Sequence, residues 1–381
     1  MRATAELAES AVAAIIEERI KTGIYVPGGR MPAERALAEE FGVSRRFARM
    51  AYARLIEQGL LEKSHYRTPF VAFPTKGISV ERGIEAPVAE PSRAVQTIAA
   101  LLPSNPVFPG GLSIVSGIHK VLADTESPHR LTFLDTFHKD RPEVLRREAQ
   151  AVQSALESGV VGLIWWTYCG DDAIQEIVRE YPHTPIVFID RYPQGMHCDF
   201  VGIDDVESSR MAVDYLIDMG HTRIAHLMDP GNYSTILERA QGYRAAHQAR
   251  GLPVAEELIV HLDWDERRME RAFEHLYSQP DPPTALFTSN DFIAHEFIQV
   301  AEANGVRVTE DLSVVGHGNI DRYTPRGFLT SVEQPFEMIG RAAAKLMLRR
   351  LEAGPDAPRS YQQVILPAPL VMRTSCRSLI P

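Results

Sequence analysis

The chain has 381 residues, 45% of them hydrophobic, with a formal net charge of -10; that length supplies two or more buried cores. Its three cysteines, Cys169, Cys198 and Cys376, are too sparse and too widely spaced for a disulfide-stapled secreted framework or a cysteine metal knuckle, and suit a reducing compartment. No stretch has the roughly 20 apolar residues of a membrane span, and Glu6, Glu9, Glu17 and Glu18 interrupt the N-terminal segment where an export signal needs an apolar run, so a cytoplasmic chain with no membrane partner is expected.

The charge is unevenly placed. Residues 1–76 hold 12 Lys or Arg against 9 Asp or Glu, and the remainder holds 28 against 41. A basic head on an acidic body permits a local nucleic-acid surface and equally suits a protein-binding module.

In chain order, residues 5–21 place Leu7, Ala11, Ala14, Ile15 and Glu18 along one side of an amphipathic helix that ends before Gly23. "YVPGGRMP" breaks the chain. A second helix is expected from Pro32 to Phe41, with Ala36, Leu37 and Phe41 on its apolar face. In "FGVS", Gly42 ends that helix and Ser44 is placed to cap the next by accepting a backbone amide. The third helix, residues 45–58, buries Phe47, Ala51 and Leu55, with Tyr52 and Ile56 beside them. Arg45, Arg46 and Arg49 remain near its exposed start. Two helices joined by a short turn, the second opening on arginines, make a helix-turn-helix candidate, because the guanidinium fork matches guanine O6 and N7. The competing reading is a solvated helix face. "LLEK" and "FVAF" around "SHYRTP" then read as a small hairpin, the wing of a winged helix.

The segment "MPAERALAEEFGVSRRFARMAYARLIEQGLLEK" resembles the winged helix-turn-helix of the GntR family, over residues 8–73. The resemblance implies that the helix beginning at Ser44 reads operator DNA and that Arg35, Arg45, Arg46 and Arg49 include backbone or base contacts. Two departures stand out. Ala33 replaces the family serine before Glu34, and the wing has no glycine between Ser64 and Phe70, so side-chain contacts, with Arg67 the candidate, are expected there.

Residues 74–94 carry three prolines and two glycines without periodicity and read as a linker. From residue 97 onward, strand-like runs alternate with helical patterns. "TIAALLP", "LTFLD", "VVGLIWW" and "PIVFID" form one series; "RIAHLMD", "ELIVHLD", "TALFTSN" and "LSVVGHG" form a second. That rhythm predicts two α/β lobes with parallel sheets, and such sheets bind ligands beyond the carboxyl ends of their strands. The strand-end candidates are Ser104, Phe108, Asp190, Arg191, Asn290 and Asp291, each with a loop cap, surface bond or packing role as its competitor. Trp264 is placed to stack on a sugar ring or to pack at a rim. Arg239 is placed to clamp a hydroxyl or carboxylate, or to pair with Glu238 or another acid.

"VESSRMAVDYLIDMGHTRIAHL", "ERAQGYRAA", "PPTALFTSNDFIAHEFIQVAEANGVRVTEDLSVVGHGN" and "LTSVEQPFEMIGRAAAKLML" resemble the effector domain of the LacI family over residues 96–375. That resemblance implies a periplasmic-binding-protein-like body that pairs as a homodimer and senses a sugar or other small metabolite. Arg239, Trp264, Asn290, Asp190, Arg191, Phe108 and Gln334 fall at family ligand or hinge positions. Gly318 stands where many relatives carry an aspartate, which weakens a simple aldose and leaves His317 as a substitute polar contact. A GntR-like head on a LacI-like body is the arrangement of the arabinose-repressor group.

The expected architecture is therefore α/β, an N-terminal winged helix-turn-helix (1–75), a linker (76–95) and a two-lobed body (96–381). Lobe 1 is assigned 96–203 and 333–363, and lobe 2 is assigned 204–332 and 364–378. The expected function is a sequence-specific transcription regulator, a repressor released from operator DNA by a carbohydrate or derivative; a ligand-dependent co-repressor or activator is the alternative. An adaptor without operator binding is the rival of another class. An enzyme is not expected: there is no G-x-S-x-G turn, H-E-x-x-H helix or P-loop, and no cofactor motif.

Overall fold

In a computed structural model of the protein, the described residues are 12–20 without 14 and 18, 25, 31–62 without 33 and 42, 69–71, 96–103, 110–136, 141–320, 327–354 and 360–380. Arg67, Ser104 and Phe108 lie outside them. The chain divides into two compact units, Met1–Glu90 and Pro91–Pro381.

The first unit is a small helical core closed by a hairpin. Helix α1, whose described residues fall between 12 and 20, buries Val12, Ala13 and Ile16 against Leu37 and Ala38 of α2 (Glu34–Phe41) and Ala48, Ala51, Tyr52 and Leu55 of α3 (Arg45–Glu57). The expected phase of α1 is corrected by one residue. Ile15 is 42% exposed and Ile16 fully buried, because the helix packs through the i, i+4 ridge Val12–Ile16. In α2 the buried pair is Leu37 and Ala38, with Ala36 exposed; in α3, Phe47 is only half-buried. Strands β1 (Leu61–Glu62) and β2 (Phe70–Val71) pair antiparallel, Leu61 opposite Val71, and both of those side chains enter the same core.

The second unit holds two three-layer lobes. In lobe 1, strands β3 (Thr97–Leu102), β4 (Arg130–Asp135), β5 (Gly162–Trp165), β6 (Ile186–Ile189), β7 (Asp199–Ile203) and β13 (Gln363–Leu366) form one parallel sheet in the order β13-β7-β6-β5-β3-β4. Helices α4 (Gly110–Asp124) and α11 (Phe336–Ala353) cover one face through Ile114, Ile118, Ile339, Ala343 and Met347. Helices α5 (Arg141–Glu157) and α6 (Asp171–Glu180) cover the other through Val152, Leu156 and Ile174. Central strands buried on both faces explain the continuous apolar runs in the sequence.

Lobe 2 repeats the plan. Strands β8 (Ile224–Met228), β9 (Ile259–His261), β10 (Ala285–Thr288), β11 (Ser313–Gly318), β12 (Thr330–Glu333) and β14 (Leu370–Val371) run in the order β14-β12-β11-β10-β8-β9, with only β14 antiparallel. Helices α7 (Asp205–Asp218) and α8 (Ser234–Ala249) lie on one face, and α9 (Arg268–Tyr277) and α10 (Asp291–Ala303) on the other. The chain crosses between lobes after β7, after β12 and between β13 and β14. The last crossing falls beyond Leu366, not at residue 363, because Val364 and Leu366 pack on the lobe 1 core.

Candidate functional site

In the head, α3 starts at Arg45 after the extended residue Ser44. Ser44 does not cap through its side chain, contrary to expectation. Its carbonyl oxygen accepts from Phe47 N at 2.9 Å and Ala48 N at 3.2 Å, and the hydroxyl stays at an exposed helix start. That is the end of a helix where phosphate is favoured. Arg35, Arg45, Arg46 and Arg49 are all exposed. They are not equivalent: Arg49 donates through Nε and Nη2 to both carboxylate oxygens of Glu34, at 3.0 and 2.9 Å, whereas Arg45 approaches Glu34 only to 4.0 Å. The Arg49 bond holds the Glu34 carboxyl below its ordinary range. Glu34 thus ties α3 to α2 across the turn and fixes one of the three arginines, a partner fifteen residues away that helix spacing could not reveal.

In the body, the strand ends meet at the seam between the lobes. Asp190, at the end of β6, has a positive φ of 62° and is buried; one of its oxygens accepts from Gln334 Nε2 at 2.7 Å, joining the lobe 1 strand end to the crossing after β12. Arg191 reaches the other Asp190 oxygen through Nε at 3.3 Å. Its guanidinium lies 4.5 Å from the ring centre of Tyr168 in lobe 1 and 4.3 Å from that of Tyr233 in lobe 2, a cation–π sandwich across the seam. Tyr192 adds a backbone donation to Ser234 Oγ at 3.2 Å and a hydroxyl donation to Glu238. Gln194 Nε2 reaches Asn232 O at 3.4 Å. A cavity of about 320 Å³ opens here, lined by Thr167, Tyr168, Gly170, Arg191, Tyr192, Asn232, Tyr233 and Ser234. Its volume is that of a small-molecule site. A larger hollow of about 470 Å³ lies at the opposite, N-terminal ends of the lobe 1 strands, against Val160, Pro185, Cys198 and Tyr361, and holds none of the expected residues.

Arg239 is buried and already occupied. It donates through Nε to Asp205 Oδ1 at 2.6 Å and through Nη1 to the Ser289 carbonyl, so its acid partner is Asp205, not Glu238. Burial pushes the Asp205 carboxyl up, to about 7, against the attraction of Arg239. His317 lies 3.5 Å from the same carboxylate and 3.4 Å from Ser208 Oγ; burial, reinforced by the charge of Arg239, drives its pKa well down, so the ring is neutral. Asn290 caps α10, its Oδ1 accepting from Ile293 N at 3.0 Å while Nδ2 donates to Asp229 Oδ2 at 3.0 Å. Asp291 is fully buried, and both of its oxygens serve the fold. One accepts from Ser331 Oγ and the other from Ile320 N, each at 2.7 Å. Its first oxygen occupies the space a Gly316 side chain would need. Gly318 has φ +124°, a conformation an aspartate would adopt only with strain.

The structure therefore brings Asp190, Arg191 and Gln334 to the seam, and groups Arg239 and His317 around Asp205. Trp264 is 50% exposed, in the segment after β9, and does not line the 320 Å³ cavity. Sequence reasoning passed over Tyr168, Tyr192, Tyr233, Asp205 and Glu148. Tyr168 follows β5 as Arg191 follows β6, so the strand-end rule that selected Arg191 also reaches it. Glu148 carried no such signal. It is fully buried on α5 and accepts from Trp165 Nε1 at 2.7 Å and Tyr168 N at 2.9 Å, fixing the loop that carries Tyr168. Among the described residues, no group of three or more His, Cys, Asp or Glu is placed to hold a metal ion, and no helix is long and apolar enough to cross a membrane.

Residues 8–71 match the family of bacterial regulatory proteins, gntR family, and residues 213–376 match the periplasmic binding protein-like domain. The chain joins a GntR-like head to a periplasmic-binding-protein-like body. Similarity to one relative runs through both units: the arabinose metabolism transcriptional repressor of Halalkalibacterium halodurans is 25% identical over 367 residues, 94% of each chain. The ribose operon repressor of Escherichia coli K12 is 29% identical over 230 residues, 60% of this chain and 68% of that protein. The structure of the transcription regulator CcpA of Lactococcus lactis has the same fold, with a TM-score of 0.64, 21% identity, and coverage of 74% of this chain and 100% of that one. The exposed start of α3 lies within the gntR-family match, and the lobe 2 side of the seam within the periplasmic binding protein-like match.

Proposed function

We propose that the protein is a transcriptional repressor whose head binds operator DNA through the start of α3 and whose body releases the head when a small carbohydrate or derivative enters the cleft. The observation that carries this reading is the exposure of Arg45 and Arg46 at an uncapped helix start. Arg45 retains 65% of its side-chain surface and Arg46 is exposed, while Arg49 is held to Glu34. Arg45 and Arg46 read base edges, and Arg35 with the helix amides near Ser44 supports the phosphates. The relatives named for ribose and arabinose regulation support a carbohydrate-type effector. A twofold homodimer of bodies matches a pseudopalindromic operator. An effector shifts DNA affinity only by binding one lobe arrangement better than another, and the contacts that differ between arrangements are those across the seam: Asp190 with Gln334, Tyr192 with Ser234, and Arg191 between its two tyrosines.

The test is selection of genomic fragments bound by the full chain, repeated with pentoses, hexoses and their acids. The proposal expects recovery of a pseudopalindromic sequence and loss of its occupancy with at least one compound. Fragments without a common sequence would contradict it.

A further inference from the structure

The cleft holds one charged donor that is left without a partner among the described residues. Four acids border or approach the 320 Å³ cavity, and each already accepts from the protein. Asp171 Oδ1 takes Gln194 N at 3.2 Å, Asp190 takes Gln334 and Arg191, Asp229 Oδ2 takes Asn290 at 3.0 Å, and Glu238 takes the Tyr192 hydroxyl. Ser234 Oγ is likewise engaged, by Tyr192 N. On the donor side, among the described residues, Arg191 donates from Nε in the 3.3 Å contact and its buried Nη1 has no partner. A guanidinium has five N–H donors and cannot shed its charge, and leaving a donor of a charged group buried and unpaired is costly. Two helix starts also border the cavity. Gly170 precedes the ten-residue α6 and Tyr233 precedes the sixteen-residue α8, and neither makes a side-chain cap bond. Helix N-termini favour negative charge.

We infer that the effector is an anion, a sugar derivative whose carboxylate or phosphate accepts from Arg191 beside the starts of α6 and α8. This rests on the reading of the seam as the effector site. Gly318 fits the inference. It leaves that part of the cleft without the added carboxylate that would repel an anionic ligand. Tyr168 and Tyr233 hold the guanidinium between their rings, and a guanidinium pairs with a carboxylate or a phosphate through charge-assisted bonds.

The experiment uses the full chain and matched probes: glucose, glucuronate, glucose 6-phosphate and inorganic phosphate, at equal ionic strength set with sodium chloride. Binding is read by calorimetry and by the shift in melting temperature, for the wild type, Arg191→Met and Arg191→Lys. The expected result is that at least one anion raises the melting temperature beyond chloride and binds about tenfold or more tighter than glucose. The preference disappears in Arg191→Met and is weakened in Arg191→Lys. Glucuronate leading identifies a carboxylate, and glucose 6-phosphate with inorganic phosphate identifies a phosphoryl group. The inference is overturned if glucose binds as well as its anionic counterparts, if no anion exceeds chloride, or if the preference survives in a folded Arg191→Met protein. Operator affinity measured on the same samples separates this from the repressor reading. An anion that binds without loosening DNA contradicts effector release while the anion site stands, and release by glucose alone does the reverse.

Discussion

At the scale of single residues, the body is decided by pairs that sequence spacing could not reach. Arg239 was expected either to clamp a ligand or to pair with Glu238 or another acid, yet its partner Asp205 lies 34 positions earlier, at the start of another helix, and only packing of α7 on α8 brings them to 2.6 Å. A buried charge that loses its partner costs about 3–5 kcal/mol. Arg239→Met and Asp205→Asn are therefore each expected to lower the urea midpoint markedly, whereas the double variant loses less than the sum, measured as a double-mutant cycle. Additive losses would show that the two do not act as a pair. Asp190 and Gln334, 144 positions apart, illustrate the same limit: each was picked by its place at a strand end or lobe crossing, and neither carried a sign of the other. In the head, the arginine trio was legible as a set, but its division was not. All three are exposed, but Glu34 hydrogen-bonds Arg49 and only approaches Arg45, because α2 and α3 cross at the turn.

At the scale of elements, periodicity served well wherever a strand or helix was long and its burial uniform. The runs "TIAALLP", "RIAHLMD" and "TALFTSN" contain β3, β8 and β10. It served less well for α1, where the run of small and branched residues from Ala11 to Ile16 supports two phases and the packing partner chooses between them. Helix crossings were not legible at all. Gly117 of α4 and Gly340 of α11 face each other so closely that a side chain on the first would strike the Glu337 carbonyl and one on the second the Ile114 carbonyl. Gly117→Ala is therefore expected to push the helices apart and cost roughly 1–3 kcal/mol, despite the better helix propensity of alanine. Chemical denaturation measures it, and a neutral or stabilising effect would mean that the crossing yields. In lobe 2, His226 is sandwiched between Tyr243 and Phe287, with ring centres at 5.3 and 5.0 Å, and burial lowers its pKa to about 4. His221, His247 and His317 are lowered by burial as well. The unfolded chain takes up these protons near pH 6.5 and the folded chain only at lower pH. Their contribution is thus complete above pH 6.5 and is lost as pH falls toward 4, about 3 kcal/mol for His226 alone. Asp205, whose carboxyl is raised, contributes with the opposite sign over this range, so the measurement is urea unfolding of the wild type against His226→Phe at pH 7 and pH 5, with the wild type expected to lose stability relative to the variant as pH falls.

At the scale of the whole molecule, the division of charge noted in the sequence corresponds to two units built on different principles. The head is a core of aliphatic side chains and Tyr52 with cations at one helix start; the body is a pair of sheets in which the buried Asp199, Asp205 and Asp291 are held in internal bonds and ion pairs. The fold class was legible because parallel strands buried on both faces read as unbroken apolar runs, and the cleft because ligands collect at strand ends. Its chemistry was less so, since the tyrosines that frame Arg191 come from two lobes. The central claim is that Arg45 and Arg46 read a specific operator. The most direct measurement is fluorescence anisotropy of the full chain on a selected operator duplex and on a shuffled duplex, over a range of salt, for the wild type and Arg45→Ala/Arg46→Ala. The account predicts that the wild type prefers the operator by a factor on the order of 10³ and that the folded double variant loses most of that preference. Equal affinity of the wild type for both duplexes, or an undiminished preference in the variant, would contradict it.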